Sequence, residues 1–588
     1  MHLTNVLHVQ CIHMKIVVGL CSFLVINILV GHLCSVLKGT GTVVQPVPMR
    51  NEGTSLPVPK VLRKSLQIKH DRYSHCPEDR NGSCADTERH RIIYNRLNEI
   101  IREKEALQHH PCQDISLAAD ATLSTLHLLD SPYKVYDIGD KIYVRATLFD
   151  SFGKQKSTGG DHLRARIWNS NASAPGVVYD HNNGSYTLIF EALWSGRSWI
   201  SATISYTREA ITAFYRITSE VVSLIYIMAM YKANNFEEDA LCHPDVNHLI
   251  TRAKYKDACN FTNLNSGMPW YCGKPKSPNL KCSDWNLLKV SYPGLPPSLS
   301  ECEKKILGSR CHKVLTKAME VIVKQPTHIN GTENVQPNIS CFKYNTTKLW
   351  YRKYTTGYFY KGRWTLTHCQ GLQSANFQEC LRNKILYLIG DSTVRQWYSD
   401  IRGRFHCNQF TENWTNEKWK RASSCKVEGY NLTVHLAQHS QPFYVGTQWT
   451  DPKHTLISIS KRLDLISSKE DAIVLFHMFL HMRLFHHDQF RNKMQRIRKS
   501  VEKLLQRNSR VKIFIKMPHT YTHYKTLLND FFGYVYTRII FVTFKGLYDK
   551  MIVLNNRDIT NSVASEHMHP DDFIVRSMVD QMFSYICE

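Results

Sequence analysis

No two of the 18 cysteines stand in a C-x-x-C spacing, which sets aside a zinc ribbon or a thioredoxin-like redox site. Acidic residues are scarce beside basic ones, 50 Asp and Glu against 74 Lys and Arg, giving a formal charge of +24 and a pI near 9.3. In a nuclear protein that balance would suggest nucleic acid, but the N-terminus argues against that compartment, so no nucleic-acid partner is expected. Long apolar runs are as rare. The one from Ile16 to Leu37, flanked by Lys15 and Lys38, is long enough to span a bilayer, which takes about 20 residues. It reads as a signal anchor behind a short cytoplasmic tip, together residues 1–38, and implies contact with a membrane. Gly39 and Gly41 just after it keep a cleaved signal peptide open as the alternative.

The chain beyond this run is rich in the marks of an oxidising lumen. Nine N-x-S/T sequons occur, at Asn81, Asn171, Asn183, Asn260, Asn330, Asn338, Asn345, Asn413 and Asn431. Fifteen cysteines lie beyond Cys11, Cys21 and Cys34, and an odd number leaves at least one without a partner in the chain. The expected location is the secretory pathway, in the Golgi lumen as a single-pass type II protein, or outside the cell if the signal is cleaved.

At 588 residues the chain is too long for one ordinary domain. Residues 39–110 read as a stalk carrying a short helix over Arg91–Leu107. Over 111–235, alternating strands such as those starting at Lys141, His162, Ser185 and Ser198 are separated by turn signals, the pattern of an immunoglobulin-like β-sandwich. Such a domain is usually a binding or spacer module, with a protein ligand as its partner. Residues 236–380, with nine cysteines from Cys242 to Cys380, read as a disulfide-stapled linker. Over 381–588 an α/β rhythm appears. Strands are expected at Ile385–Ile389, Ala472–Phe476, Val511–Lys516 and Arg538–Thr543, with helices at Phe490–Arg507 and Phe573–Tyr585. Alternation of this kind implies a mostly parallel sheet covered on both faces, with its site beyond the carboxyl ends of the strands.

The stretch Lys384–Trp397, KILYLIGDSTVRQW, places a strand, a tight turn and a helix in succession. Asp391 and Ser392 sit in the turn, where a serine hydroxyl stands clear of the sheet beside free N–H groups. Ser392 is the candidate nucleophile and its own N–H a candidate oxyanion donor; the plainer reading of Gly-Asp-Ser is a capping turn. A serine needs a base, and the base needs an orienting group. Near the C-terminus Glu566-His567-Met568-His569-Pro570 offers both, with His569 as base and Glu566 three residues before it as orienter; His567 has Ala564 at the matching position.

In the run His477–Asp488, HMFLHMRLFHHD, His477 and His481 have helical spacing, but no glutamate follows the first. A packed or site-lining role is expected there, and no metal. The basic residues Arg491, Lys493, Arg496, Arg498 and Lys499 read as a solvated helix face, or as an attraction for an anionic glycan.

Several motifs together resemble the neurexophilin and PC-esterase domain family. They are GGDHLRAR (Gly159–Arg166), NNGSY (Asn182–Tyr186), CNFT with WYCGKP (Cys259–Pro275), GYFYKGRW (Gly357–Trp364), CLRNKILYLIGDSTVRQW (Cys380–Trp397) and HPDD (His569–Asp572). The resemblance covers nearly everything after Leu107. It implies a neurexophilin-like sandwich followed by a three-layer α/β domain of the SGNH-hydrolase type, whose relatives add or remove acetyl groups on glycans, including sialic acid. It also implies a triad of serine with a D-x-x-H pair, acting on a glycan or glycoprotein, with no bound cofactor and acetyl-CoA as one acyl donor. The rival implication is a binding protein of impaired catalysis. The chain departs from the family pattern in three places. Glu566 stands where Asp is usual, Phe479-Leu480-His481-Met482-Arg483 replaces a Gly-x-His-Phe-Arg turn, and Met517-Pro518-His519 replaces a Thr-Glu-Asn run.

Overall fold

The short apolar run Ala472–Phe476 is buried at every position, which is what a strand covered on both faces requires. It is the inner strand of a sheet seen in the computed structural model. The structure describes residues 111–588 apart from 222–225, 266, 292–297, 311, 316–317, 326–336, 338, 352–354, 373–376, 411–421, 440–447, 450–456, 484, 523–526 and 528. The expected anchor, stalk and 91–107 helix lie outside the described residues, as do the sequons at Asn81, Asn330, Asn338 and Asn413. Among the described residues no helix is long and apolar enough to cross a membrane. All belong to one of the two units into which the chain divides, Gly82–Glu588.

The C-terminal sheet has seven strands: β1 (Ile385–Gly390), β2 (Asn408–Phe410), β3 (Ser423–Val427), β4 (Leu432–Gln438), β5 (Ala472–Phe476), β6 (Lys512–Lys516) and β7 (Met551–Leu554). Their order is β2-β3-β4-β1-β5-β6-β7. The pairs from β4 to β7 are parallel, while β2 and β3 add an antiparallel edge. Chain order therefore reverses at β1, with β4 on one side and β5 on the other. A crevice opens at the carboxyl ends of strands at such a reversal. The helices are α1 (Ser392–Arg404), α2 (Ile459–Leu465), α3 (His487–Arg507), α4 (Phe531–Thr543), α5 (Asn556–Ser562) and α6 (Asp572–Ser584). Helix α1 packs on α6, and α2, α3 and α4 pack in series. On α3, Phe490, Met494, Ile497, Val501 and Leu504 are buried at a helical period.

One element differs in kind from its expectation. Arg538–Thr543 is helical, the last half of α4, and the next strand is β7. The β-branched run favours a strand locally, but Phe531, Phe532, Val535, Tyr536, Ile539 and Ile540 are buried three and four apart, and tertiary burial overrides propensity.

Upstream, two sheets share a separate core that includes Ile142, Val144, Leu188 and Phe190 from one and Leu163, Ile167, Ile200 and Val321 from the other. The smaller sheet joins Asp120–Leu128, Lys141–Phe149, Ser185–Glu191 and Val177–Asp180. The larger one contains His162–Trp168 and Gly196–Tyr206, and it also takes in Met319–Lys324 and the hairpin Gly357–Tyr360 with Arg363–Leu366. The sandwich thus reaches well past residue 235 and draws strands from the stretch expected to be linker. The rest of that stretch is a five-stranded sheet built on Tyr226–Ala233 and Phe236–His243, continuous with the α/β core. Among the described residues six disulfides close the fold: Cys112–Cys302, Cys242–Cys272, Cys259–Cys282, Cys341–Cys369, Cys380–Cys587 and Cys407–Cys425. The fifth ties the residue range just before β1 to the C-terminus.

Candidate active site

Strand β1 ends on Gly390 because nothing larger fits. A Cβ there would lie 2.4 Å from Val394 Cγ2 and 2.9 Å from the His477 carbonyl oxygen. The next residue, Asp391, caps α1: its Oδ1 accepts from the Thr393 N–H at 2.9 Å and from Thr393 Oγ1 at 2.6 Å. Capping and chemistry are therefore divided between neighbours. With Asp391 occupied as the cap, Ser392 becomes the first residue of α1, and its Oγ lies 2.6 Å from His569 Nε2. The structure brings together two residues 177 apart in sequence, in the geometry by which a hydroxyl gives its proton to a ring nitrogen.

His569 stands at the mouth, with one side open to solvent. Burial of the rest of the ring lowers its pKa below the ordinary histidine value; the Asp391 charge opposes this, and Arg395 and Lys516 add to the lowering. The ring is thus neutral at pH 7, as a base must be.

Beneath the serine lies a buried polar cluster. Lys516, at the end of β6, reaches Thr393 Oγ1 at 3.0 Å and His477 Nε2 at 3.4 Å. His477 Nδ1 donates to the Lys516 carbonyl at 2.8 Å, which leaves Nε2 between the ammonium and Asp391. Asp391 Oδ2 is 3.4 Å from the same Nε2 and accepts from the Leu480 N–H at 3.2 Å. Burial pulls Lys516 down to about 8, with Asp391 resisting. Burial pushes Asp391 up, but His477 and Lys516 outweigh it and hold the carboxyl well below its usual range. His477 itself is lowered by burial and by Lys516, while the Asp391 charge and hydrogen bond oppose that lowering.

The loop carrying His569 is tied down at several points. The Glu566 carbonyl accepts from the Thr522 N–H at 3.1 Å, His519 Nε2 donates to the Met568 carbonyl at 2.9 Å, and Gln396 Nε2 donates to the Pro570 carbonyl at 2.8 Å. Arg483 reaches Met568 Sδ at 3.8 Å. The Glu566 side chain does not join His569. It is 68% exposed and faces Arg310, itself 69% exposed, at 4.0 Å. The expected orienter is corrected on this point: residues three apart share a face only in a helix, and 565–570 is irregular chain entered through Ala564 at φ +49. Among the described residues no carboxylate hydrogen-bonds or ion-pairs with His569. His567 is exposed.

The other departures also have physical readings. Phe479 takes no positive φ; its buried ring packs edge-on to His519 at 5.8 Å, and a Cβ on Gly533 would meet it at 2.9 Å. The close approach to the turn is made by Gly533 of α4. His481 is half-buried, with its ring 4.9 Å from that of the buried His439, in the segments that follow β5 and β4 on either side of β1. Among the described residues the one grouping with metal-like spacing is His486, His487 and Asp488. There His486 Nδ1 accepts the Asp488 N–H and Asp488 pairs with Arg491, the pattern of a helix start. The basic run on α3 is largely engaged as well. Lys493 is buried, Arg496 donates to the Gly267 carbonyl at 2.7 Å, and Arg498 pairs with Glu502 at 2.8 Å; Lys499 stays exposed.

Residues 364–587 match the family model described as NXPE family member 4-like, C-terminal domain. Those residues thus carry a domain of that type. The match takes in the whole seven-stranded sheet, Ser392, His569 and the Asp391, His477, Lys516 and His519 around them, but not Arg310. The sequence reading missed Lys516, Gln396, Arg483 and His519 as parts of the site. Their local signals were the departures at Phe479–Arg483, which includes Arg483, and at Met517-Pro518-His519. The five described sequon asparagines, Asn171, Asn183, Asn260, Asn345 and Asn431, are all exposed.

Proposed function

We propose that this chain transfers or hydrolyses O-acetyl groups on glycans in the secretory pathway, sialic acid among the candidate sugars. The observation that carries the reading is the 2.6 Å approach of Ser392 Oγ to His569 Nε2 at the reversal point of a parallel sheet. Ser392 Oγ attacks the acyl carbonyl as His569 takes its proton. His569 then returns the proton to the departing alcohol or thiol, leaving an acyl-serine. Water resolves that ester to acetate, and a sugar hydroxyl resolves it to a new acetyl ester; acetyl-CoA or an acetylated sugar serves as donor. The Ser392 N–H, free at the first turn of α1, faces the developing oxyanion. The N–H of Leu480 is already given to Asp391.

The second reading is a glycoprotein ligand acting through its sandwich. The exposed Glu566 favours it, because a histidine without an orienting acid is a weaker base. One experiment separates the two. The purified full chain is offered acetyl-CoA or acetylated sugars, and acetate release and sugar acetylation are followed for wild type, Ser392→Ala and His569→Ala. The enzyme reading expects each substitution to lower kcat/KM by at least about 10^3-fold. Equal, background-level rates in all three would favour the ligand.

A further inference from the structure

The seam between the sandwich and the α/β part is more positive than its carboxylate can balance. Asp530, fully buried just before α4, is that carboxylate. Both of its oxygens are held by Arg164 of the strand His162–Trp168. The Tyr206 hydroxyl donates to Oδ1 at 2.7 Å and the Tyr521 N–H to Oδ2 at 3.3 Å. Asp530 is thus saturated by one guanidinium and two neutral donors.

A second guanidinium stands within reach of the Asp530 charge but without a hydrogen bond to it. Arg557, on α5, has a partly exposed stem, but Nη1 and Nη2 are both buried and have no acceptor among the described residues. Its Cζ lies 5.6 Å from the centre of the Tyr534 ring, and a third guanidinium, Arg538, lies 4.4 Å from the same ring. His162 packs on that ring too, at 5.2 Å, and its buried Nε2 also lacks a partner. Burial and the Arg557 charge lower the His162 pKa, so its ring is neutral and keeps a donor to offer. Both unmatched ends of Arg557 are donors, and the charges of Arg164 and Arg557 both fall on the one carboxylate of Asp530. A buried charge demands a counter-charge, and a guanidinium fork suits a compact anion.

We propose that this seam binds a small inorganic anion, held by Nη1 and Nη2 of Arg557 beside His162 and Tyr534. The anion completes the charge balance of the interface and fastens the sandwich to the α/β part. A halide and an oxyanion share the required chemistry, and the test tells them apart.

The thermal midpoint of the full chain is followed as sodium chloride, sulfate or phosphate replaces sodium gluconate at constant ionic strength. In wild type at least one compact anion raises the midpoint saturably above the gluconate baseline, and the one that does identifies the class. Arg557→Met loses the saturable rise, Arg557→Lys needs at least tenfold more anion for half the effect, and Arg197→Met, at an exposed pair with Glu320, responds as wild type. No saturable rise in wild type, or an equal rise in Arg557→Met, overturns the proposal. Should Arg557→Met fail to fold, crystals of wild type soaked in bromide or selenate decide. An anomalous peak at the Arg557 fork together with the solution effect supports the site. No peak, or a peak without the solution effect (an adventitious ion only), overturns it.

Discussion

His569 is the residue on which the pH behaviour turns. Burial sets its pKa below the ordinary value, about 6.5 for free histidine, so the neutral base persists into mildly acidic solution. With His569 as the proposed base, activity is expected to be full above the depressed pKa and to fall as pH drops through it. The profile of kcat/KM should carry its acid limb below about pH 6.5, and a limb centred above pH 7 would contradict the environment of the ring. Glu566 makes the opposite kind of prediction. Exposed and facing Arg310, it should tolerate Glu566→Ala with less than about a threefold change in kcat/KM, since surface changes are worth ~0.5 kcal/mol or less. A loss of two orders of magnitude would return it to the site. Ser392 and His569 were legible in the sequence because each sits in a short motif with its own chemistry. Glu566 was misjudged because a spacing rule that holds in helices was applied to an irregular loop.

At the level of secondary-structure elements, the turn between β1 and α1 is supported from below. Lys516 comes from β6, 123 residues beyond the Thr393 it contacts, and no local pattern announces that a lysine closing a strand will be wholly buried. Removing it strands the Asp391 carboxylate. Lys516→Met should therefore lower stability by about 3–5 kcal/mol in urea or guanidinium unfolding. It should also slow turnover more than it weakens substrate binding; a loss under about 1 kcal/mol would show that Asp391 does not depend on the lysine. The strand reading of Arg538–Thr543 failed for a related reason. Local propensity sees the β-branched residues, while the packing of Phe531, Tyr536 and Ile540 against the sheet decides the outcome. Strand order was not legible either: alternation of strands and helices foretells a parallel sheet, but the position of β1 between β4 and β5 is set by long-range pairing.

Across the whole chain, the sandwich and the α/β part are joined by chemistry rather than by a tether. Arg164, within the GGDHLRAR stretch, supplies the buried pair to Asp530. Asp530 in turn holds the N–H of Tyr521, whose hydroxyl meets Arg483, and Arg483 touches Met568 beside His569. A continuous set of contacts thus runs from the sandwich to the base. Arg164→Met should cost about 3–5 kcal/mol, and in a double-mutant cycle Arg164→Met with Asp530→Asn should cost clearly less than the sum of the single changes. Simple additivity would mean the pair carries no coupling. The expected boundary at 235 missed this integration, because strands from 319–324 and 357–366 cross back into the sandwich and nothing in their local sequence says so.

If Ser392 is the nucleophile, it must become acylated while His569 draws off its proton. Brief reaction of the full chain with an acetyl donor, followed by acid quench, digestion and mass spectrometry, detects that intermediate. One acetyl group is expected on the peptide containing Ser392, formed in wild type and absent from Ser392→Ala, with formation slowed by at least about 10^3-fold in His569→Ala. An acetyl group found on another residue, or none on Ser392 under conditions in which acetate is released, would contradict the assignment of Ser392 as nucleophile.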